Sequence, residues 1–563
     1  MKTPLTRGLM LSAVMAGTQL QSHVEAAPQL IEHVSGYTLQ GTHLVSFDAM
    51  AFDGGRVLAM GKHADLRRRY PGAIRVNGKG ACLLPGLIDA HGHVQDLGLE
   101  MVRAQLWDTS SLAAAQAIIR GFSAAHPDQA WVLGHGWNQV KWGLGRFPTK
   151  SELDAVVPDR PAALDRVDGH AKWVNTPALE AAGITKDTTD PPGGRIERDA
   201  LGNPTGVLVD NAMALVEKVI PTLTDAQRQE ALQRAMSHMN SVGLTGVGDA
   251  GVDAATVAAY RVLADRGQLT VRAYVMIRDT GADFAELSKD GPLIGYADDH
   301  LTIRSVKLFA DGALGSRGAA LLAPYSDKPD QSGLLFMSEA EMQRKMESAL
   351  RAGYQVNVHA IGDAANHEVL DAFAGAYQDV GGRELRNRIE HAQVVTPADI
   401  PRFKQLDLIA SMQPTHATSD MNMAQVRIGP ERLKGAYAWR TLLDQGTRIA
   451  GGSDFPVESD NPFFGLYSAV TRMDHDGKPP GGWHAEQAMT LEEAFRAFTL
   501  DAAYAEHNER NIGSLETGKW ADFILVDRDL FRIEPSEIWK IRVLQTWVGG
   551  KPVFQYHSGE HSE

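Results

Sequence analysis

His91 and His93 end the run Leu84-Pro85-Gly86-Leu87-Ile88-Asp89-Ala90 as His-Gly-His. On an extended strand residues i and i+2 share a face, so this spacing can present two imidazoles to one metal ion at about 2.0–2.1 Å. The alternative is a pair of solvent-exposed histidines at a strand end. Three further residues close short β-like runs: His359 after Val356-Asn357-Val358, His391 after Arg388-Ile389-Glu390, and Asp454 after Ile449-Ala450-Gly451-Gly452-Ser453. One such histidine is ordinary. Four histidines and an aspartate, each closing a strand, point to a metal centre held by imidazole and carboxylate. Cys82 is the only cysteine, which excludes intramolecular disulfides, Cys-rich zinc sites and iron–sulfur clusters.

Residues this far apart in sequence converge where parallel strands bring their C-terminal ends to one face of a barrel. The sequence supplies candidate strands at Gly246-Val247-Gly248, Val271 to Val275, Ile303 to Phe309, Val356 to Val358, Arg388-Ile389 and Arg448 to Ala450. Stretches at helical spacing, such as 225–242 and 338–352, lie between them. Strand–helix alternation over about 400 residues predicts a (β/α)8 TIM-type barrel within an α/β fold. Gly-broken β patterns at both ends predict one small β-sandwich domain made from residues 27–84 and 506–563. The barrel then spans 85–505. Residues 101–224, rich in Trp, Gly and Pro, are too long for one strand–helix unit and are expected to form an insertion capping it.

The chain has 563 residues, 44% of them apolar and 22% charged, which excludes a disordered or fibrous protein. Its net charge of −14, with no basic run beyond Arg67-Arg68-Arg69, argues against a nucleic-acid partner. Lys2 and Arg7, the apolar stretch 8–17 and the small-residue site at Val24-Glu25-Ala26 resemble a secretory signal over residues 1–26, so a periplasmic or secreted protein is expected. That apolar stretch is too short to span a bilayer, which takes about 20 residues, and no later segment suffices. Homo-oligomerisation stays open.

The chain carries Pro-Gly-Leu-Ile-Asp-Ala-His-Gly-His from Pro85, Gly-His-Gly-Trp from Gly134, Asp-Gly-His from Asp168, Lys-Leu-Phe-Ala-Asp-Gly-Ala-Leu-Gly-Ser-Arg from Lys307, Ile-Glu-His-Ala-Gln from Ile389 and Gly-Ser-Asp-Phe-Pro-Val from Gly452. In these motifs it resembles the metal-dependent amidohydrolase superfamily, and within it the amidohydrolase-3 group of YtcJ-like proteins and N-substituted formamide deformylases. The resemblance implies a two-metal site. His91, His93 and Asp454 would bind the deeper ion and His359 and His391 the second, with Lys307, carboxylated by CO2, bridging them. Zinc suits imidazole and carboxylate ligands, and manganese, iron or cobalt would also fit. A bridging hydroxide would attack a polarised carbonyl while Asp454 moves the proton to the leaving nitrogen.

The reaction class is then hydrolysis of a C–N bond in a small amide, N-acyl or N-formyl compound. Deamination at a one-metal site, or hydrolysis of a carbamate, urea or ester, are the enzymatic alternatives. A metal-stabilised solute-binding protein is the alternative of another class. His135, Trp137, Asp168, His170, Arg317 and His416 are candidate substrate contacts, with His170 a candidate for the oxyanion, and each also has a structural reading. Gly246-x-Gly248-x-x-Gly251 matches a dinucleotide fingerprint, but a lone match is weak.

Overall fold

The computed structural model describes residues 27–557 apart from 108, 140, 167–170 and 192–193. The expected signal segment and two expected site residues, Asp168 and His170, lie outside the described residues. Eight parallel strands form a nearly closed barrel sheet. They are β1 Leu87–Gly92, β2 Leu244–Val252, β3 Arg272–Arg278, β4 Leu301–Phe309, β5 Gln355–Ala360, β6 Arg388–His391, β7 Ile409–Met412 and β8 Ile449–Gly451. Each pairs with the next, with Val306 opposite Val356 and Ile389 opposite Ala410.

Where β8 meets β1, the Asp454 amide donates to the His91 carbonyl at 2.7 Å and the Ile88 amide to that of Phe498 at 2.8 Å. Gly452 permits this approach, because a Cβ there would come within 2.8 Å of the Asp89 carboxylate and the His91 amide. The barrel strands are buried on both faces, and their outward residues Val306, Leu308, Val356, Val358 and Ile389 belong to one core with the surrounding helices. Two expected helices run over Asp225–Ser241 and Glu339–Arg351, capped by the Thr224 and Ser338 side chains. The strand β7 has no sequence signal, since Ile-Ala-Ser-Met carries one β-branched residue and is followed by Gln413-Pro414. The Gly-x-Gly match lies inside β2, where a Cβ on Gly248 would meet the Ala90 carbonyl at 2.3 Å, so that glycine serves strand packing.

Strands from both chain ends share one eight-stranded sheet. Its order is Lys551–Gln555, Val543–Val548, Phe523–Val526, Cys82–Pro85, Gln29–Gln40, His43–Asp53 and Arg56–Gly61, with Ile74–Asn77 beside Gln29–Gln40. Phe52, Phe523 and Trp547 sit at its core. The segment after helix Val94–Glu100 builds a separate six-stranded sheet with a core around Trp137, Trp142 and Trp173. Among the described residues no helix is long and apolar enough to cross a membrane.

Candidate active site

Strand alternation aims Lys307 and Ser305 of β4, His359 and Asn357 of β5, and Glu390 and Arg388 of β6 along shared faces. His391 follows Glu390, so regular extended backbone would send it the opposite way. Its φ of 72°, like the 65° of Asp454, lies in the left-handed region and breaks that alternation. Such backbone costs a non-glycine residue on the order of 1–3 kcal/mol and persists only where the surroundings enforce it. Here the Asp454 amide is held by its hydrogen bond to the His91 carbonyl, while the Asp89 carboxylate fixes the preceding turn by accepting from the Ser453 amide at 3.0 Å and its hydroxyl at 2.6 Å.

The result is a cavity of about 310 Å³ at the C-terminal mouth of the barrel, lined by His93, Lys307, His359, His391, His416 and Asp454 among others. His91 lies beneath them with no exposed surface. Each deep imidazole has its Nδ1 engaged away from the group. His91 Nδ1 donates to the Glu390 carboxylate, His93 Nδ1 to the Ala250 carbonyl at 2.9 Å and His391 Nδ1 to Gln413 Oε1 at 2.8 Å. The Nε2 atoms of His91 and His93 then face inward. Lys307 Nζ donates to His91 Nε2 at 2.9 Å, and His93 Nε2 donates to Asp454 Oδ1 at 3.0 Å. Two groups have ligand atoms all within 4.8 Å of one another: His91 with His93 and Asp454, and His391 with His416 and Asp454. His359 packs its ring 4.6 Å from that of His391. Its buried Nε2 lies 3.3 Å from Asp311 Oδ1 without hydrogen-bond alignment.

The electrostatics suit a divalent cation. Burial, reinforced by the charge of Lys307, pushes the His91 imidazole down to about 4, and burial brings the Lys307 amine down to about 8. A ligand histidine must be neutral, and a lysine must be neutral before it can capture CO2. Burial alone would raise Asp454, but the hydrogen bond from His93 and the charges of the surrounding imidazoles hold it well below the usual carboxylate range. Burial keeps His91 and His391 neutral, whereas the hydrogen bond and charge of Asp454 outweigh burial and raise His93; once His93 gives up that proton, these imidazoles and the ionised carboxylate are a fitting donor set for such an ion.

Of the expected substrate contacts, His416 is in the cavity, its buried Nε2 without a hydrogen bond and 3.8 Å from Asp454 Oδ2. Trp137 is not. Its side chain is wholly buried in the core of the insertion, where the indole N–H donates to the Leu164 carbonyl at 2.8 Å, so the expectation of a substrate contact there is corrected by packing. Arg317 gives its guanidinium to Asp327 at 2.8 Å. His135 faces Glu100 at 3.2 Å and Trp107, and neither Arg317 nor His135 lines this cavity.

Sequence reasoning missed Glu390, Asp311, Gln393 and Asp420. Glu390 was accessible from alternation, lying two residues after Arg388 and directly before His391. Asp311 accepts from the Ala320, Ile361 and Gly362 amides and fixes the loops beside His359, a role that no local pattern signals.

Residues 76–554 match the profile of the Amidohydrolase family, and the short stretch 49–73 matches a bacterial imidazolonepropionase-like composite domain. The amidohydrolase YtcJ of Bacillus subtilis is 32% identical over 523 residues, covering 90% of this chain and 96% of that protein. The N-substituted formamide deformylase of Arthrobacter pascens is 29% identical, covering 89% and 94%. A crystal structure of an uncharacterized metal-dependent hydrolase from Pyrococcus horikoshii superposes with a TM-score of 0.76 at 27% identity, covering 90% of this chain and 99% of that one. With the barrel, the strand-end histidines and a family match over most of its length, the chain belongs to the amidohydrolase family.

Proposed function

We propose that the protein is an exported hydrolase that cleaves the C–N bond of a small amide, N-acyl or N-formyl compound at a site for two divalent cations, with zinc the first choice. The observation that carries this reading is the convergence of inward-facing imidazoles, Lys307 and ionised Asp454 at one cavity. The likeness to an N-substituted formamide deformylase supports the choice of bond.

His91, His93 and Asp454 would hold the deeper ion, His359 and His391 the outer one, and carboxylated Lys307 would lie between them. Bound there, a pair of divalent cations supplies carbonyl polarisation and water ionised near neutral pH. The protein does the rest. Glu390 keeps the His91 proton on Nδ1. Asp454, ionised and beside the open cavity, accepts a proton from the attacking water and returns it to the leaving nitrogen. His416 lines the same cavity, and Phe309, Leu314, Ile361 and Val457 give it an apolar side.

Metal analysis of protein purified without chelator, joined to a screen of N-formyl, N-acetyl and N-acyl-amino-acid amides, tests the proposal. About two metals per chain and turnover of one such class are expected. A single metal retained with turnover of an amino-heterocycle would favour the one-metal deaminase instead. Tight binding without turnover of any C–N substrate would favour a solute-binding protein.

A further inference from the structure

One wall of the cavity is built from Gln393, on the segment after β6, and from His416, Ser419 and Asp420 on the helix Pro414–Leu433, and of these His416 also reaches the ligand cluster. Asp420 Oδ2 accepts from Gln393 Nε2 at 2.8 Å and from the Tyr437 hydroxyl at 2.7 Å, and Gln393 Nε2 also donates to the Tyr437 oxygen at 2.8 Å. This three-membered network admits one orientation of the Gln393 amide. A carboxylate is acceptor-only, so the NH2 must face Asp420, and Oε1 is left as an acceptor.

Gln393 is 4% exposed, and its Oε1 has no partner among the described residues. Asp420 Oδ1 has none either, and no ion pair to Asp420 exists among the described residues. Tyr437 is held at a φ of 50°, and its amide donates to the Gln393 carbonyl at 2.8 Å, so backbone strain is accepted where the hydroxyl is fixed on Asp420. Asp420 is half-buried on the cavity wall, and a carboxylate partly withdrawn from water gains from a cation. Lys307, committed to the ligand cluster, is the only Lys or Arg among the described residues lining this cavity.

We infer that Asp420, braced by Gln393 and Tyr437, is a substrate subsite for a primary ammonium group, so that the enzyme acts on amides whose amine portion carries a second, cationic nitrogen. The inference rests on the hydrolase reading for its reaction but not for its binding. Three donors on an ammonium match Asp420 Oδ1 and Gln393 Oε1, whereas a carboxylate in that position would meet acceptors only. The apolar side formed by Phe309, Leu314 and Val457 suits the methylene arm between the two nitrogens.

The test uses zinc-loaded full-length protein and three ligands R–CO–CH2–(CH2)4–X, ketone isosteres that cannot be hydrolysed, with X an ammonium, a methyl or a carboxylate. Calorimetry should find the ammonium ligand at least about tenfold tighter than the methyl one, and the carboxylate ligand weakest. Asp420→Asn should erase the ammonium preference while leaving the methyl ligand within about threefold of wild type, which also shows that the site is intact. Tyr437→Phe, which keeps the carboxylate, should retain part of the preference. Equal or reversed affinities in wild type, or an unchanged ratio in Asp420→Asn, would overturn the subsite. The matching amides R–CO–NH–(CH2)4–X are then assayed for cleavage. Ammonium-selective binding with no amide cleaved would sink the hydrolase reading and leave the subsite standing, while cleavage of all three at similar kcat/KM would do the reverse.

Discussion

His91 donates its Nδ1 proton to the Glu390 carboxylate with both side chains fully out of solvent, and Arg388, equally buried, grips the same carboxylate at 2.7 and 2.9 Å. The chain Arg388–Glu390–His91 therefore fixes the tautomer that leaves His91 Nε2 free for a metal. Glu390→Gln keeps the shape but can present its NH2 group to the ring. Zinc affinity, read by competition with a chromophoric chelator, should fall about 10- to 100-fold, the usual cost of removing such a partner. Unchanged affinity would make the pair purely structural.

Lys307 is buried, neutral-prone and placed between His91 and the cavity. Lys307→Ala should lose at least one metal per chain by elemental analysis, and a short carboxylic acid should restore part of the activity by occupying the bridging position. Wild-type stoichiometry and rate in that variant would remove the bridge.

Asp454 differs from the histidines in having a second task. Asp454→Asn should keep much of the metal yet lose 10²- to 10⁴-fold in kcat, roughly 3 to 5 kcal/mol of barrier. Replacing His91 or His93 by alanine should lose metal and activity together. The comparison is kcat at matched metal occupancy, and a value for Asp454→Asn within about threefold of wild type would move the proton shuttle to a cavity histidine such as His416.

Glu506, just after the helix Leu500–Ala505, is buried with Oε1 unpartnered among the described residues. Burial pushes its carboxyl up to about 8 against the pull of Arg388. Between its ordinary value near 4.5 and that value, the unfolded chain releases this proton and the folded chain keeps it, so Glu506 removes stability as pH rises through the window and nothing further above it. Glu506→Gln should abolish this component. Denaturant midpoints at pH 5 and pH 9 should show the variant gaining on wild type at the higher pH, by on the order of a few kcal/mol. A gain that is the same at both pH values would reject the assignment.

Export predicts a cleaved leader. N-terminal sequencing of protein from its native host should find a start near Ala27, and intact Met1 on active protein would reject it.

The residue sequence by itself determined the strand-end histidines, the aspartate after Gly451-Gly452-Ser453, and the alternation that makes a barrel. Each is a local pattern, in which side-chain periodicity reports which face a residue occupies. It also supplied both β-rich ends, because apolar runs broken by glycine are legible without knowing their partners. Tertiary structure alone decided that Glu390 meets His91 across 299 residues, that Trp137 is spent in a core rather than on a substrate, and that Ile409–Met412 is a strand at all. It also decided the left-handed backbone that turns His391 and Asp454 out of register. The physical reason is common to these cases. Residue type sets a local preference of a kcal/mol or so, whereas burial, a buried charge pair or a hydrogen bond to a distant carbonyl is worth as much or more, and only the packed chain specifies which of them a residue receives.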